Sequence, residues 1–367
     1  MTFCIKHATQ NPLTAAGKLA TGLCALFALF FVLGCTGNDA SERAEREQLP
    51  AQTSTDYQTE NPSGAPDVTE LSEGSVTEET ALDEPEQAAP TPAVAMLVSS
   101  EAELIRAIDE ADKTPAAIVL TADIELNSTL VIPEGAYVIL ASQGEPMHKL
   151  TANHDRPAIL VHHGATLTLQ SIILTRTENS GGIASGNGLH LGGTAIMSGG
   201  KISNHPRSGV YMISVYGRIA EFTLNEGTIS HNKHGGIRGS GITTINGGLI
   251  TGNSSISNGG GVTVQGFMTM TGGTISNNHT NRSGGGVYIS RASIFTMHDG
   301  TITGNTSDSG GGVFSVTGTQ HTAGGTFIMY GGWIFGNTAE TDDDFNFGGT
   351  FHNNVFDPAN GGIGTGP

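Results

Sequence analysis

Between residues 186 and 340 the apolar positions come in short alternating bursts, and the bursts recur. Six segments align: MSGGKISNH (197–205), LNEGTISHN (224–232), INGGLITGN (245–253), MTGGTISNN (270–278), MHDGTITGN (297–305) and MYGGWIFGN (329–337). Their shared Ile is Ile202, Ile229, Ile250, Ile275, Ile302 and Ile334, at spacings of 27, 21, 25, 27 and 32 residues. A second series, in segments such as RSGVYM and SGGGVYI, has Leu189, Val210, Ile237, Val262, Val287 and Val313 as anchors, spaced 21, 27, 25, 25 and 26. Two anchor series with similar, irregular spacing predict the stacked turns of one parallel β-helix, in which loops vary and strands keep register. Within GGGVYIS, Val287 and Ile289 are expected to point inward and Tyr288 and Ser290 outward.

The third residue after each Ile is Asn232, Asn253, Asn278, Asn305 or Asn337, with His205 at the first segment. Asn tolerates the left-handed conformation of a sharp turn. Stacked amides also hydrogen-bond from layer to layer. These Asn residues are read as a structural ladder.

Upstream, Ser100 and Glu103 form a capping-box pattern that opens a helix. Leu104, Ile105 and Ile108 fall on one face of it, and it is expected to end near residues 112–115. Apolar runs at 118–120, 130–132 and 137–140 read as strands. A short amphipathic helix there would cover apolar core and an unpaired sheet edge. After Asn337 the pattern fades, and Phe345, Phe347, Phe351 and Phe356 are expected to form an aromatic lid before a loose tail.

The repeat resembles that of the pectin-lyase-like superfamily, and most of all the Gly-Gly-rich repeats of bacterial surface adhesins and polymorphic outer-membrane proteins. Gly331-Gly332-Trp333-Ile334 and Phe335-Gly336-Asn337 carry altered forms of their two motifs. The resemblance spans about residues 97–340 and implies an all-β fold: a single-stranded right-handed parallel β-helix solenoid with a short N-terminal capping helix.

The N-terminal third carries no such repeat. Lys6 and Lys18 precede an apolar run over residues 19–33, short for a membrane span and suited to a secretory segment. It ends Val32-Leu33-Gly34-Cys35, which resembles a bacterial lipoprotein lipobox and implies that Cys35 is lipidated. The other cysteines, Cys4 and Cys24, precede it, so no disulfide is available to the repeats. Residues 36–95 hold 14 acidic residues and 2 Arg with sparse apolar residues, as in a self-repelling disordered tether. The expected organisation is a lipoprotein signal peptide (1–34), a lipidated Cys with acidic tether (35–95), a right-handed parallel β-helix (96–345), and a lid with tail (346–367). The implied location is the outer membrane or cell surface, lipid-anchored. A net charge of −18 argues against nucleic acid as a partner.

Candidate chemistry is sparse. Between residues 180 and 337 the acids are Glu221, Glu226, Asp299 and Asp308. Asp308 and Arg282 fall at matching places of consecutive repeats, spaced for a surface ion pair. Asp342, Asp343 and Asp344 read as a solvated loop rather than a cation site. His231 and His234 form H-x-x-H, with His205 at the matching place one repeat earlier, and read as turn histidines rather than zinc ligands. No cofactor, metal or catalytic residue is expected. One outward row remains: His190, Tyr211, Arg238, Thr263, Tyr288 and Phe314, each just after an anchor. Such rows stack on sugar rings or anchor a protein partner; Tyr and Thr also suit exposed strands for their own sake. The expected function is a non-catalytic adhesion or ligand-binding stalk with a carbohydrate or matrix-protein ligand. The alternatives are a polysaccharide lyase or glycoside hydrolase, and a purely structural surface protein.

Overall fold

The computed structural model describes residues 95–111, 115–177, 186–215, 217–319, 322–347, 356–357 and 362–364. The secretory segment, Cys35, the tether up to residue 94, and Phe351 lie outside the described residues.

The fold is all-β, built on parallel sheets with one described helix. Each repeat contributes strands to three parallel stacks. The first runs Leu130–Ile132, Ile159–Val161, Leu189–Leu191 and Val210–Met212, and goes on through the starts of Ile237–Ile245 and Val262–Ser276 to Val287–Ile289, Val313–Ser315 and Phe345–Phe347. It carries the Val-type anchors in unbroken register. The second stack includes Tyr137–Ser142, Thr166–Leu169 and the start of Thr194–Ser203, and ends on Thr326–Met329. The third carries Ile202, Ile229, Ile250, Ile275, Ile302 and Ile334 in register. A fourth, small sheet stacks Ser254–Ser255, His279–Thr280, Thr306–Ser309 and Thr338–Thr341.

Alternation explains the core. Both anchor series are buried throughout. Phe222, Phe295 and Phe327 fill the second stack, with the last two rings 4.9 Å apart. Truncating one such side chain to Ala would cost about 3–5 kcal/mol.

The six aligned segments need the Gly two places before their Ile for a local reason. The backbone between the second and third stacks turns at Gly200, Gly227, Gly248, Gly273, Gly300 and Gly332, with φ between 73° and 107°. L side chains rarely adopt that conformation. The left-handed residue after each Ile lies one place before the ladder position: Asn204, His231, Gly252, Asn277, Gly304 and Gly336, with φ between 54° and 65°. This corrects the expectation that the ladder Asn residues take the left-handed turn. They are freed from it, and their side chains face the interior.

The helix Glu101–Glu110 packs on the strands Ala95–Val98, Ala116–Leu120 and Ile124–Leu126 through Leu104, Ala107 and Ile108. Ile105 is 39% exposed, so Ala107 takes the place expected of it. The cap is also displaced. The Ser100 hydroxyl accepts from Glu103 N–H at 3.4 Å, but the Glu103 carboxylate accepts from Ser99 N–H at 2.7 Å, one residue earlier than a capping box requires.

At the other end, parallel pairing extends to Phe345–Phe347, beyond the expected boundary at residue 345. Gly362–Gly364, expected to be loose, pairs antiparallel with Trp333–Phe335 and with Phe356–Asp357. Antiparallel pairing closes an edge that another parallel repeat would extend.

Candidate functional site

The row His190, Tyr211, Arg238, Thr263, Tyr288 and Phe314 stands in register on the first stack, one residue per repeat. Val131 and Leu160 continue it below and Asn346 above. The rings interact in pairs. His190 and Tyr211 meet edge to face at 5.4 Å, and Tyr288 and Phe314 stack at 5.6 Å within 5° of parallel. Five of the six side chains are partly exposed.

Thr263 is the exception and corrects the expectation of a continuous outward row. It is 3% exposed. Its hydroxyl donates to the Asn258 carbonyl at 2.9 Å, and it sits between the larger Arg238 and Tyr288. The accessible row is therefore split into a lower part (His190, Tyr211, Arg238) and an upper part (Tyr288, Phe314).

Each part borders a hollow. The upper one, about 460 Å³, is lined by Gln265, Tyr288, Ser290 and Arg291 among others. The lower one, about 450 Å³, is lined by His190, Tyr211 and Arg238 from the row, by Arg207, Ser208 and His234 from the adjoining turns, and by Pro157 and Asn187. Arg207 and His234 were not anticipated as site residues. A signal was present, since each lies three residues before its anchor, Val210 and Ile237, and so they stack: His234 N–H donates to Arg207 carbonyl at 3.3 Å.

The electrostatics of the lower hollow are one-sided. Burial pushes the His190 imidazole below its ordinary range. His234 is lowered by burial first and then by the charges of Arg238 and Arg207. Burial is also the main cause lowering Arg238, which still remains a cation. Arg238 Nη2 donates to Ser257 Oγ at 3.2 Å, while its Nη1 is buried with no hydrogen-bond partner. Among the described residues no carboxylate lines the hollow.

The ladder residues occupy a separate, buried turn. Asn232 donates from its N–H and Nδ2 to Asn253 Oδ1 at 3.0 and 2.9 Å. Asn253 bonds Asn278, and Asn278 bonds Asn305, in the same way, every distance 3.0 Å. Asn305 continues to Asn337 at 3.0 and 2.8 Å. Each Nδ2 also donates to the carbonyl of an anchor Ile, as Asn278 does to Ile250 at 2.9 Å. The chain of amides ends on Asp344, whose Oδ1 accepts from Asn337 N–H and Nδ2 at 3.0 Å. Asp343 accepts from Ala339 N–H at 2.8 Å, and Asp342 accepts from Asn346 Nδ2. The three acids lie in a loop, with Asp342 and Asp343 exposed as expected, and Asp344 also ends the ladder.

His205 begins the ladder, donating from its N–H to Asn232 Oδ1 at 3.1 Å. Its ring is fully buried and is pushed down to about 3 by burial, then by the Arg176 charge. His231 is exposed, so the two do not converge. Among the described residues no group of three His, Cys, Asp or Glu side chains is placed to hold a metal ion. The ion pair expected of Arg282 and Asp308 is also not formed. They meet through the backbone, Asp308 N–H donating to Arg282 carbonyl at 2.8 Å. Ion pairs among the described residues include Arg106–Glu110 and Arg218–Glu134, and His148 lies 3.5 Å from Asp123.

Compared with known proteins, the chain matches no family model, no curated protein and no solved structure.

Proposed function

We propose that the chain is a right-handed, single-stranded parallel β-helix capped at its N-terminal end by the helix Glu101–Glu110. It is held at the cell surface by a lipid on Cys35 and an acidic tether, and it serves as a non-catalytic ligand-binding or adhesion stalk. The β-helix reading is supported by three parallel stacks whose partners lie one repeat apart in sequence. The surface reading is supported by the lipobox-like end of the apolar run and the acidic composition that follows.

The binding reading rests on one observation above all. Three accessible rings of a single sheet, His190, Tyr211 and Tyr288, line two hollows of about 450 and 460 Å³, within the roughly 300–1,000 Å³ usual for ligand sites. Rings so placed offer flat apolar faces to sugars.

An array of glycans and matrix proteins tests this reading on the full chain. Replacing Tyr211, Tyr288 and Phe314 together by Ser should weaken binding about tenfold or more with folding retained. Unchanged binding removes the row from the account. Turnover of a polysaccharide, lost on Asp308→Ala, would overturn the non-catalytic reading.

A further inference from the structure

The lower hollow gathers positive charge on a chain whose net charge is −18. Arg207 and His234 stack in the turn, and Tyr211 and Arg238 stand in register on the neighbouring strands. Burial, and then the charges of Arg238 and Arg207, lower the affinity of the His234 imidazole for a proton. Among the described residues no carboxylate lines the hollow. The Ser208 hydroxyl is committed to the His234 carbonyl, 3.0 Å away. Arg238 Nη1 is buried and unpartnered. A buried cationic group without a partner is costly, and the charge of an anion seated in the hollow would offset part of that cost.

We propose that the hollow formed by Arg207, Arg238, His234, His190 and Tyr211 binds the anionic group of an acidic saccharide. A carboxylate or sulfate sits against the guanidinium groups and the sugar ring lies on Tyr211. This rests on the ligand-binding reading above and adds the chemical class of the ligand. Guanidinium forks match the paired oxygens of carboxylate and sulfate. Tyr211 supplies an apolar face, and its edge-to-face contact with His190 holds it beside the cations. The volume, about 450 Å³, accommodates more than one sugar residue.

Calorimetric titration of the full chain tests this, using a uronate oligosaccharide, a sulfated oligosaccharide, a neutral oligosaccharide of equal length and an acidic peptide. The expected result is tighter binding of one or both acidic saccharides than of the neutral one, by about tenfold, weakening with added salt. The two acidic arms distinguish carboxylate from sulfate. Arg207 is exposed, so Arg207→Gln should fold normally and lose about tenfold in affinity for the acidic saccharide, with neutral binding unchanged. Arg238→Lys, which keeps the charge and loses the fork, should weaken binding less than Arg238→Gln. Equal affinity for acidic and neutral saccharides, lost in the triple ring variant, would overturn the anion site and leave the row in place. Preference for the acidic peptide would overturn the saccharide class. Absence of any saccharide binding would overturn this inference, and absence of matrix-protein binding as well would overturn the reading it rests on.

Discussion

Two columns of side chains climb the same repeats in register, and they differ in kind. The buried column is His205, Asn232, Asn253, Asn278, Asn305 and Asn337; the outer one is His190, Tyr211, Arg238, Thr263, Tyr288 and Phe314. The inner column is almost one residue repeated, because each rung makes the same bonds to the next amide and to an Ile carbonyl. Only Asn supplies that donor and acceptor pair at that reach. The outer column repeats position without repeating chemistry. Stacking alone therefore does not dictate its residues, and four of them, His190, Tyr211, Arg238 and Tyr288, line two hollows.

If that contrast is right, the inner column governs stability. Asn278→Ala removes the acceptor for Asn253 N–H and Nδ2 and the donor to Ile250 carbonyl, all in a buried turn. Stability should fall by roughly 3 kcal/mol in denaturant titration, because buried groups are left unpaired. A loss well under ~1 kcal/mol would mean that the ladder is incidental.

The one inner rung that is not an amide gives the next largest effect. His205 titrates near 6.5 when unfolded and is pushed down to about 3 in the fold. Between those values the unfolded chain binds more protons. The stability contribution is therefore complete above pH 6.5 and is lost as pH falls toward 3. At pH 5 the loss relative to pH 7 should be on the order of 2 kcal/mol. His205→Asn should remove that component and leave a flatter stability profile. An unchanged acid slope would show that His205 does not cause it.

Thr263 sharpens the boundary between the columns, since it belongs to the outer column by register and to the interior by burial. Thr263→Val forfeits the bond to Asn258 carbonyl. It should cost about 1 kcal/mol and leave saccharide affinity unaltered. A binding defect without a stability defect would restore Thr263 to the accessible row.

These residues also show what could be read from sequence. Both anchor series and every ladder Asn were legible, because repetition exposes positions that each layer must fill in the same way. Thr263 was misjudged because alternation predicts which face a side chain takes, and says nothing of how its larger neighbours cover it. Asp344 was missed because the last rung comes only seven residues after Asn337, with no repeat to align it. Arg207 and His234 were passed over because they lie in turns, although their matching offsets from Val210 and Ile237 were there to see. Ile105 and Ala107 exchanged roles because three apolar residues over five positions leave the exact buried stripe of a helix open.

Hydroxyl-radical footprinting of the full chain, with and without an acidic oligosaccharide, tests the division most directly. The account predicts that ligand protects His190 and Tyr211, which line the lower hollow. It also predicts that Phe267 and Tyr330, 56% and 51% exposed away from the row, keep their reactivity. Protection confined to Phe267 or Tyr330, with the row unaltered, would contradict it.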